Sequence, residues 1–176
     1  DWSSDVCSSD LCNFNPQQLK DIFGLTVAQI PIKSAFEKID AVSQSARELA
    51  HANAVAAQPS LSNVNVAEAT KVAGVEVALE QWQQDEALDA IAVRCWPEFP
   101  TDLGACICSS LGRISDRGTV TTCERDVLGA VTMLVCEALG SDQNYLVDIV
   151  DLDASKNLIR LWHCGSAATK IGRAHV

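Results

Sequence analysis

The sequence predicts an α/β fold followed by a β-hairpin, and three features carry that expectation. A short apolar run, "AIAV" from Ala90 to Val93, lies between Asp89 and Pro97, as expected of a strand buried on both faces. Segments of helical periodicity stand before and after it, which is the alternation of an α/β layer. Near the C-terminus, two alternating stretches flank a polar turn at Ala154 to Asn157, the pattern of a hairpin.

Taken in order, "FNPQQLKDIF" predicts a short helix, with Pro16 near its start, Leu19, Ile22 and Phe23 in register and Gly24 as its stop. From Pro31, the residues Ile32, Phe36, Ile39, Val42, Ala46, Leu49 and Ala50 share one face, so a single long amphipathic helix is expected before Pro59. His51 near its end reads as a solvated last-turn side chain. Another helix is expected from Val64 to Gln84, with Gly74 as its weak point. After the strand, a loop rich in Pro and Gly contains a short helix from Thr101 to Leu111. A strong helix is expected from Thr121 to Leu139, stopped by Gly140. In the hairpin, Leu146, Asp148, Val150 and Leu152 alternate onto one face; after the turn, Ile159, Leu161 and His163 share another.

Length and composition bound the function. A chain of 176 residues, 48% apolar and 20% charged, is globular and has room for one domain or for one domain and part of a second. A net charge of −10 excludes partners that demand clustered Lys and Arg, so neither nucleic acid nor an anionic membrane is expected. No apolar run approaches the roughly 18 residues of a membrane span, and no basic and apolar leader opens the chain, so a cytoplasmic location is expected. Eight cysteines at irregular spacing, mostly inside apolar segments, read as reduced buried thiols.

Both ends are set apart. Residues 1–11, "DWSSDVCSSDL", and residues 170–176, "KIGRAHV", resemble translated sequencing-adaptor DNA, which leaves Cys7 and His175 without a role. Removing Asp1, Asp5 and Asp10 with Lys170 and Arg173 leaves the balance acidic. On that reading the chain is an internal piece of a longer protein, with an α/β domain over residues 12–140 and the start of a β-rich domain over residues 141–169.

A few residues stand out for chemistry. Glu124 has a structural explanation, because "TTCE" fits a capping box in which Thr121 bonds an early amide and Glu124 reaches back. Asp148 alternates in phase with apolar neighbours, where a carboxylate needs a cation or donors to meet it. Arg160 on the next strand is one such partner, whereas Asp151 and Asp153 read as solvated turn residues. His163 ends its strand, where an imidazole is structural or a ligand. Two carboxylates and one imidazole would suit Mn²⁺ or a similar divalent ion with positions left for substrate oxygens. Cys95, Trp96, Glu98 and Phe99 follow the buried strand and are placed to border a site, with Trp96, Glu98 and Phe99 candidates for lining a sugar; a turn with buried aromatics accounts for them equally. Cys106 and Cys108, with Cys95 and Cys123 flanking, offer a competing metal reading, but the first two are spaced too tightly for a structural zinc unit and have no second pair. Cys164 beside His163 points to the opposite face of its strand, against a Cys-His nucleophile.

The stretches "AVRCWPEFPTDLGACICSSLGRISDRGTVTTCERDVLGAVTMLV" and "LVDIVDLDASKNLIRLWHCGSA" resemble the L-fucose isomerase-like family, related to L-fucose and L-arabinose isomerases, most specifically from Ile91 to Ala167. That resemblance implies a three-layer Rossmann-like second domain joined to the first β-hairpin of a C-terminal β-rich domain. It implies Mn²⁺, with Glu124 and Asp148 as metal ligands and as the acids that handle protons. His163 of "LWHCG" matches the ligand histidine of arabinose isomerases, whereas fucose isomerase draws its own from nearer its C-terminus. The implied function is aldose–ketose isomerisation of a monosaccharide through an enediol, in a trimer or hexamer of the full-length protein, with the present piece itself inactive. The other reading is a sugar-binding or regulatory α/β module without catalysis.

Overall fold

A computed structural model describes residues 12–163 and 166–168. Residues 1–11, 164–165 and 169–176 lie outside the described residues.

Helix α1 (Pro16–Phe23) forms as expected: the Asn15 side chain accepts the Gln17 and Gln18 amides at 3.0 and 3.2 Å, and Gly24, at φ 71°, ends it. The long helix expected from Pro31 is instead two, α2 (Ile32–Ala41) and α3 (Gln44–Ala57). Ser43 makes the break. Its hydroxyl accepts the Ala46 amide at 3.3 Å, an N-cap that competes with helical continuation, while β-branched Val42 turns extended. Arg47 then reaches back, donating to the Val42 carbonyl at 3.1 Å and to the Ile39 carbonyl, which satisfies the end of α2. His51 therefore sits within α3 rather than in a last turn.

A 3-10 turn (Pro59–Asn63) leads to α4 (Val66–Glu86), capped by Asn65. Gly74 lies inside α4 for a packing reason, because a Cβ there would collide with the Arg47 guanidinium. Strand β1 (Ala90–Ala92) follows, at the expected place. The helix expected at Thr101–Leu111 is replaced by a π-helical turn (Phe99–Leu103) and, after Gly104 at φ 74°, by α5 (Cys108–Asp116).

The largest correction concerns the helix expected from Thr121. Val120, Thr121 and Thr122 are β-branched and form strand β2 (Val120–Thr122), which pairs in parallel with β1 in the register Ala90↔Val120, Ile91↔Thr121 and Ala92↔Thr122. Helix α6 (Val127–Ala138) starts later, where the Asp126 side chain accepts the Gly129 amide at 2.7 Å. Asp126, and not Thr121, is therefore the cap. The Thr121 hydroxyl donates to the Leu111 carbonyl at 2.8 Å, and Glu124 lies before the helix, outside any capping box.

The result is a mixed α/β arrangement around a small parallel sheet. Ile91, Val93 and Cys123 pack into the core with Val75, Leu79 and Trp82 of α4 and Leu111 and Ile114 of α5. Ala90 and Val120 pack instead with Ala130 and Met133 of α6. Glu76 of α4 is also buried and accepts from Arg113 at 2.5 Å and from Arg117 at 2.7 Å, a pairing that offsets its desolvation.

The hairpin of β3 (Asp148–Asp153) and β4 (Leu158–Trp162) forms where expected, but it is exposed along nearly its whole length. Asp148 is thus exposed rather than turned into an apolar layer, and a bulge between Ile149 and Asp151 breaks the simple alternation. Arg160 stands across from Asp151, at 3.9 Å, while Asp148 stands across from Trp162. Among the described residues, no helix is long and apolar enough to cross a membrane.

Candidate functional site

Because β1 and β2 run parallel, their carboxyl ends open on the same side, which is where loops and ligands gather in α/β sheets. The pairing continues past the strands: the Val93 amide donates to the Thr122 carbonyl at 2.9 Å and the Arg125 amide to the Val93 carbonyl at 3.0 Å. Cys95 is carried outward on one arm, and Cys123 and Glu124 on the other. Both cysteines are buried. Their thiols are hydrogen-bonded to each other, and that bond, outweighing burial, draws the Cys95 thiol down to about 7. The Glu124 amide donates to the Cys95 sulfur at 3.4 Å.

Between β2 and α6 the chain turns through two consecutive left-handed residues, Glu124 at φ 59° and Arg125 at φ 58°. The left-handed region is unfavourable for side chains of this size, so two consecutive residues held there mark a conformation imposed by the surrounding contacts. The turn leaves Glu124 half-buried beside the strand ends.

His163 arrives from the other direction, one residue beyond β4, and is buried. Its Nε2 lies 3.2 Å from the Cys123 sulfur, and its Nδ1 lies 3.3 Å from the Ser166 hydroxyl. The Tyr145 hydroxyl donates to the His163 carbonyl at 3.4 Å, with the two rings edge-on at 6.3 Å. The ring is thus fixed on both nitrogens and at its backbone.

One ligand atom each from Cys123, Glu124 and His163 lie within 4.8 Å of one another. Of the residues singled out from the sequence, the fold therefore brings Glu124 and His163 together. Asp148 is outside that tight group, but its charge is felt there. Burial raises the proton affinity of the Glu124 carboxyl, His163 opposes the rise, and Asp148 and Asp126 add to it. Acidic groups converging on a partly desolvated carboxylate make an environment that a cation would relieve.

The remaining three residues separate. Trp96 is 43% exposed on the loop after β1. Glu98 accepts from Arg94 at 2.9 Å, and its other oxygen, Oε2, is buried with no hydrogen-bond partner among the described residues. Phe99 is fully buried in the core and packs on Phe36 at 5.1 Å between ring centroids. The sequence places Cys95 at the border of a site and argues against a cysteine metal centre, whereas reading Val120 to Thr122 as a strand puts Cys123 at its carboxyl end beside Glu124.

Comparison with known proteins gives a consistent set of relatives. The chain is 35% identical over 155 residues to a protein named sulfoquinovose isomerase from Priestia megaterium, covering 88% of this chain and 34% of the relative. It is 31% identical over 157 residues to one of the same name from Alkalicoccus urumqiensis, covering 89% and 35%. Another from Clostridium sp. is 33% identical over 159 residues, again covering 89% and 35%. The chain is similar to sugar isomerases. It spans about a third of the length of these curated relatives. No family model and no solved structure matches it.

Proposed function

We propose that the chain is part of a metal-dependent aldose–ketose isomerase of the L-fucose isomerase-like family, and that its substrate is sulfoquinovose, an aldose carrying a sulfonate. The observation that carries the proposal is the convergence of Glu124 and His163 at the carboxyl ends of parallel strands, in a chain 31–35% identical to proteins named sulfoquinovose isomerase. On this reading the α/β arrangement is the Rossmann-like second domain, and the hairpin opens a β-rich domain.

Glu124, Asp148 and His163 would hold a divalent ion such as Mn²⁺, a donor set of oxygen and nitrogen that suits it. When bound, the ion supplies Lewis acidity against the negative charge that develops on O1 and O2 as the enediol forms. Burial of Glu124 excludes water from one side of its carboxylate, which sharpens its electrostatic effect. The Ser166 and Tyr145 contacts hold His163 in one orientation, as a ligand imidazole requires. A carboxylate of the Glu124–Asp148 pair moves the proton between C1 and C2. Exposed Leu152, Ile159 and Trp162 on the hairpin supply apolar surface for a neighbour in a homo-oligomer, a trimer or hexamer of the full-length protein.

The test is ketose formation from sulfoquinovose by the full-length protein, followed by NMR with and without chelator. Turnover restored by Mn²⁺ and abolished by Glu124→Gln and Asp148→Asn, with far-UV circular dichroism unchanged, is the expected result. Sugar binding without turnover, indifferent to chelator and to both substitutions, would instead identify a non-catalytic binding module.

A further inference from the structure

We infer that Arg125 selects the sulfonated sugar, its guanidinium donating hydrogen bonds to the sulfonate oxygens at the end of the substrate remote from the isomerised carbons. This rests on the sulfoquinovose isomerase reading and adds to it a specificity-determining side chain outside the metal ligands.

Its lack of a partner is the first reason. Arg47 donates to the Ile39 and Val42 carbonyls, and Arg94, Arg113, Arg117 and Arg160 each meet a carboxylate. Among the described arginines, only Arg125 makes neither a hydrogen bond nor an ion pair through its guanidinium, although the residue is half-buried. A guanidinium drawn partly out of water and left unanswered is costly, and its planar fork of donors matches an oxyanion that accepts at two oxygens at once.

Its place is the second. Arg125 leaves the turn at the carboxyl end of β2, next to Glu124. Its amide donates to the Val93 carbonyl at 3.0 Å and its own carbonyl accepts the Val127 amide at 2.9 Å, so the backbone is fixed on both sides of the side chain. It is fixed in the left-handed region, at φ 58°, where glycine would avoid the crowding that an arginine incurs. Strain held beside a candidate site points to a side chain kept for what it does there.

The direction of the side chain fits the chemistry. The charges that act on the Glu124 carboxyl are those of His163, Asp148 and Asp126, whereas that of Arg125 reaches the Cys12 thiol. The guanidinium is therefore turned away from the side chains that would hold the ion. That separation is what a sulfonate on C6 requires when O1 and O2 face the ion. The Cys12 thiol also feels Glu124, Asp126 and Asp148, so the surroundings of Arg125 are otherwise acidic. A sulfonate with a single negative charge suits them better than a phosphate ester, which carries about −1.5 to −2 at pH 7.

Isothermal titration calorimetry of the Mn²⁺-loaded full-length protein tests the inference with alditols, which lack the carbonyl and so bind without turnover. The alditol of sulfoquinovose is expected to bind roughly 10–100-fold more tightly than its sulfonate-free counterpart, the range of hydrogen bonds to a charged group. Arg125→Gln is expected to remove that preference and to leave the affinity for the neutral alditol unchanged. Arg125→Lys, which keeps the charge without the fork, retains part of it. The corresponding 6-phosphate is expected to bind more weakly than the sulfonate. No preference in the parent protein, a preference that survives Arg125→Gln, or tighter binding of the 6-phosphate overturns the inference. If Arg125→Gln does not fold, Arg125→Gly, which the left-handed backbone accommodates, decides in its place. Ketose formation is followed separately by NMR. A preference without turnover leaves the sulfonate contact standing and removes the isomerase, and turnover without a preference does the reverse.

Discussion

The Cys123 sulfur and the His163 Nε2 meet at 3.2 Å, although 40 positions separate them in sequence. Cys123 ends the parallel pair and His163 ends the hairpin, so this contact ties the exposed hairpin to the α/β layer at the point where Glu124 turns. Burial of both residues keeps water from competing for the bond. Candidate chemistry and structural attachment therefore share the same few atoms.

The segment after His163 is held by a close backbone approach. A Cβ on Gly112 of α5 would collide with the Ala167 carbonyl, a backbone atom that cannot rotate away. Gly112→Ala is expected to cost about 1–3 kcal/mol as an overpacked site. Its more telling effect is on His163, four residues upstream of that contact. Urea unfolding reads the first effect, and a changed His163 ring resonance in NMR reads the second; an unaltered resonance would mean that Gly112 does not position the histidine.

Local patterns in the sequence were legible where one residue decides one feature. Asn15 and Gly24 bracket α1, the apolar run becomes β1, and the alternating C-terminal stretch becomes a hairpin. Features decided by competition were not. Thr121 and Thr122 open the segment expected as a helix, yet β-branching and the parallel partner at Ala90 to Ala92 win, which shifts the helix start to Val127. Ser43 likewise divides a continuous apolar face. In the site, the candidate acids and histidine were visible as residue types, whereas the Cys95–Cys123 pairing depends on which residues leave adjacent strands, a fact of register and not of local sequence.

Glu76 makes a stability prediction independent of the site. Its carboxylate is buried and is met by Arg113 and Arg117, while Arg117 also bonds Glu80. Glu76→Ala leaves the buried Arg113 guanidinium without its counter-ion, and breaking a buried pair in this way costs about 3–5 kcal/mol. Equilibrium urea unfolding measures it. A loss below about 1 kcal/mol, the range of a surface pair, would show that the network is effectively solvated.

The hairpin turn carries a pH signature. The Ser155 hydroxyl bonds the Asp153 carboxylate at 2.6 Å and the Lys156 ammonium bonds it at 2.9 Å, and these bonds hold the carboxyl below its ordinary range. A depressed folded value means that the stabilisation is fully present above the unfolded value, about 3.9, and is lost as pH falls through the depressed one. Amide exchange in β3 and β4 should therefore quicken at acid pH relative to a base-line free of intrinsic rate effects. In Asp153→Asn that acid-side change should disappear.

Arg125 holds a left-handed backbone at φ 58°, where an L-residue other than glycine pays roughly 1–2 kcal/mol in steric crowding. Glycine relieves the crowding but enlarges the unfolded ensemble, so the net gain for Arg125→Gly is expected at about 0.5–1 kcal/mol. The substitution keeps the backbone bond from residue 125 to the Val93 carbonyl, since glycine retains the amide. A higher urea midpoint with an unchanged denaturant slope is the expected outcome. If stability falls instead, the Arg125 side chain is itself holding the turn, and the conformation at Glu124 depends on that side chain more than on the strand pairing.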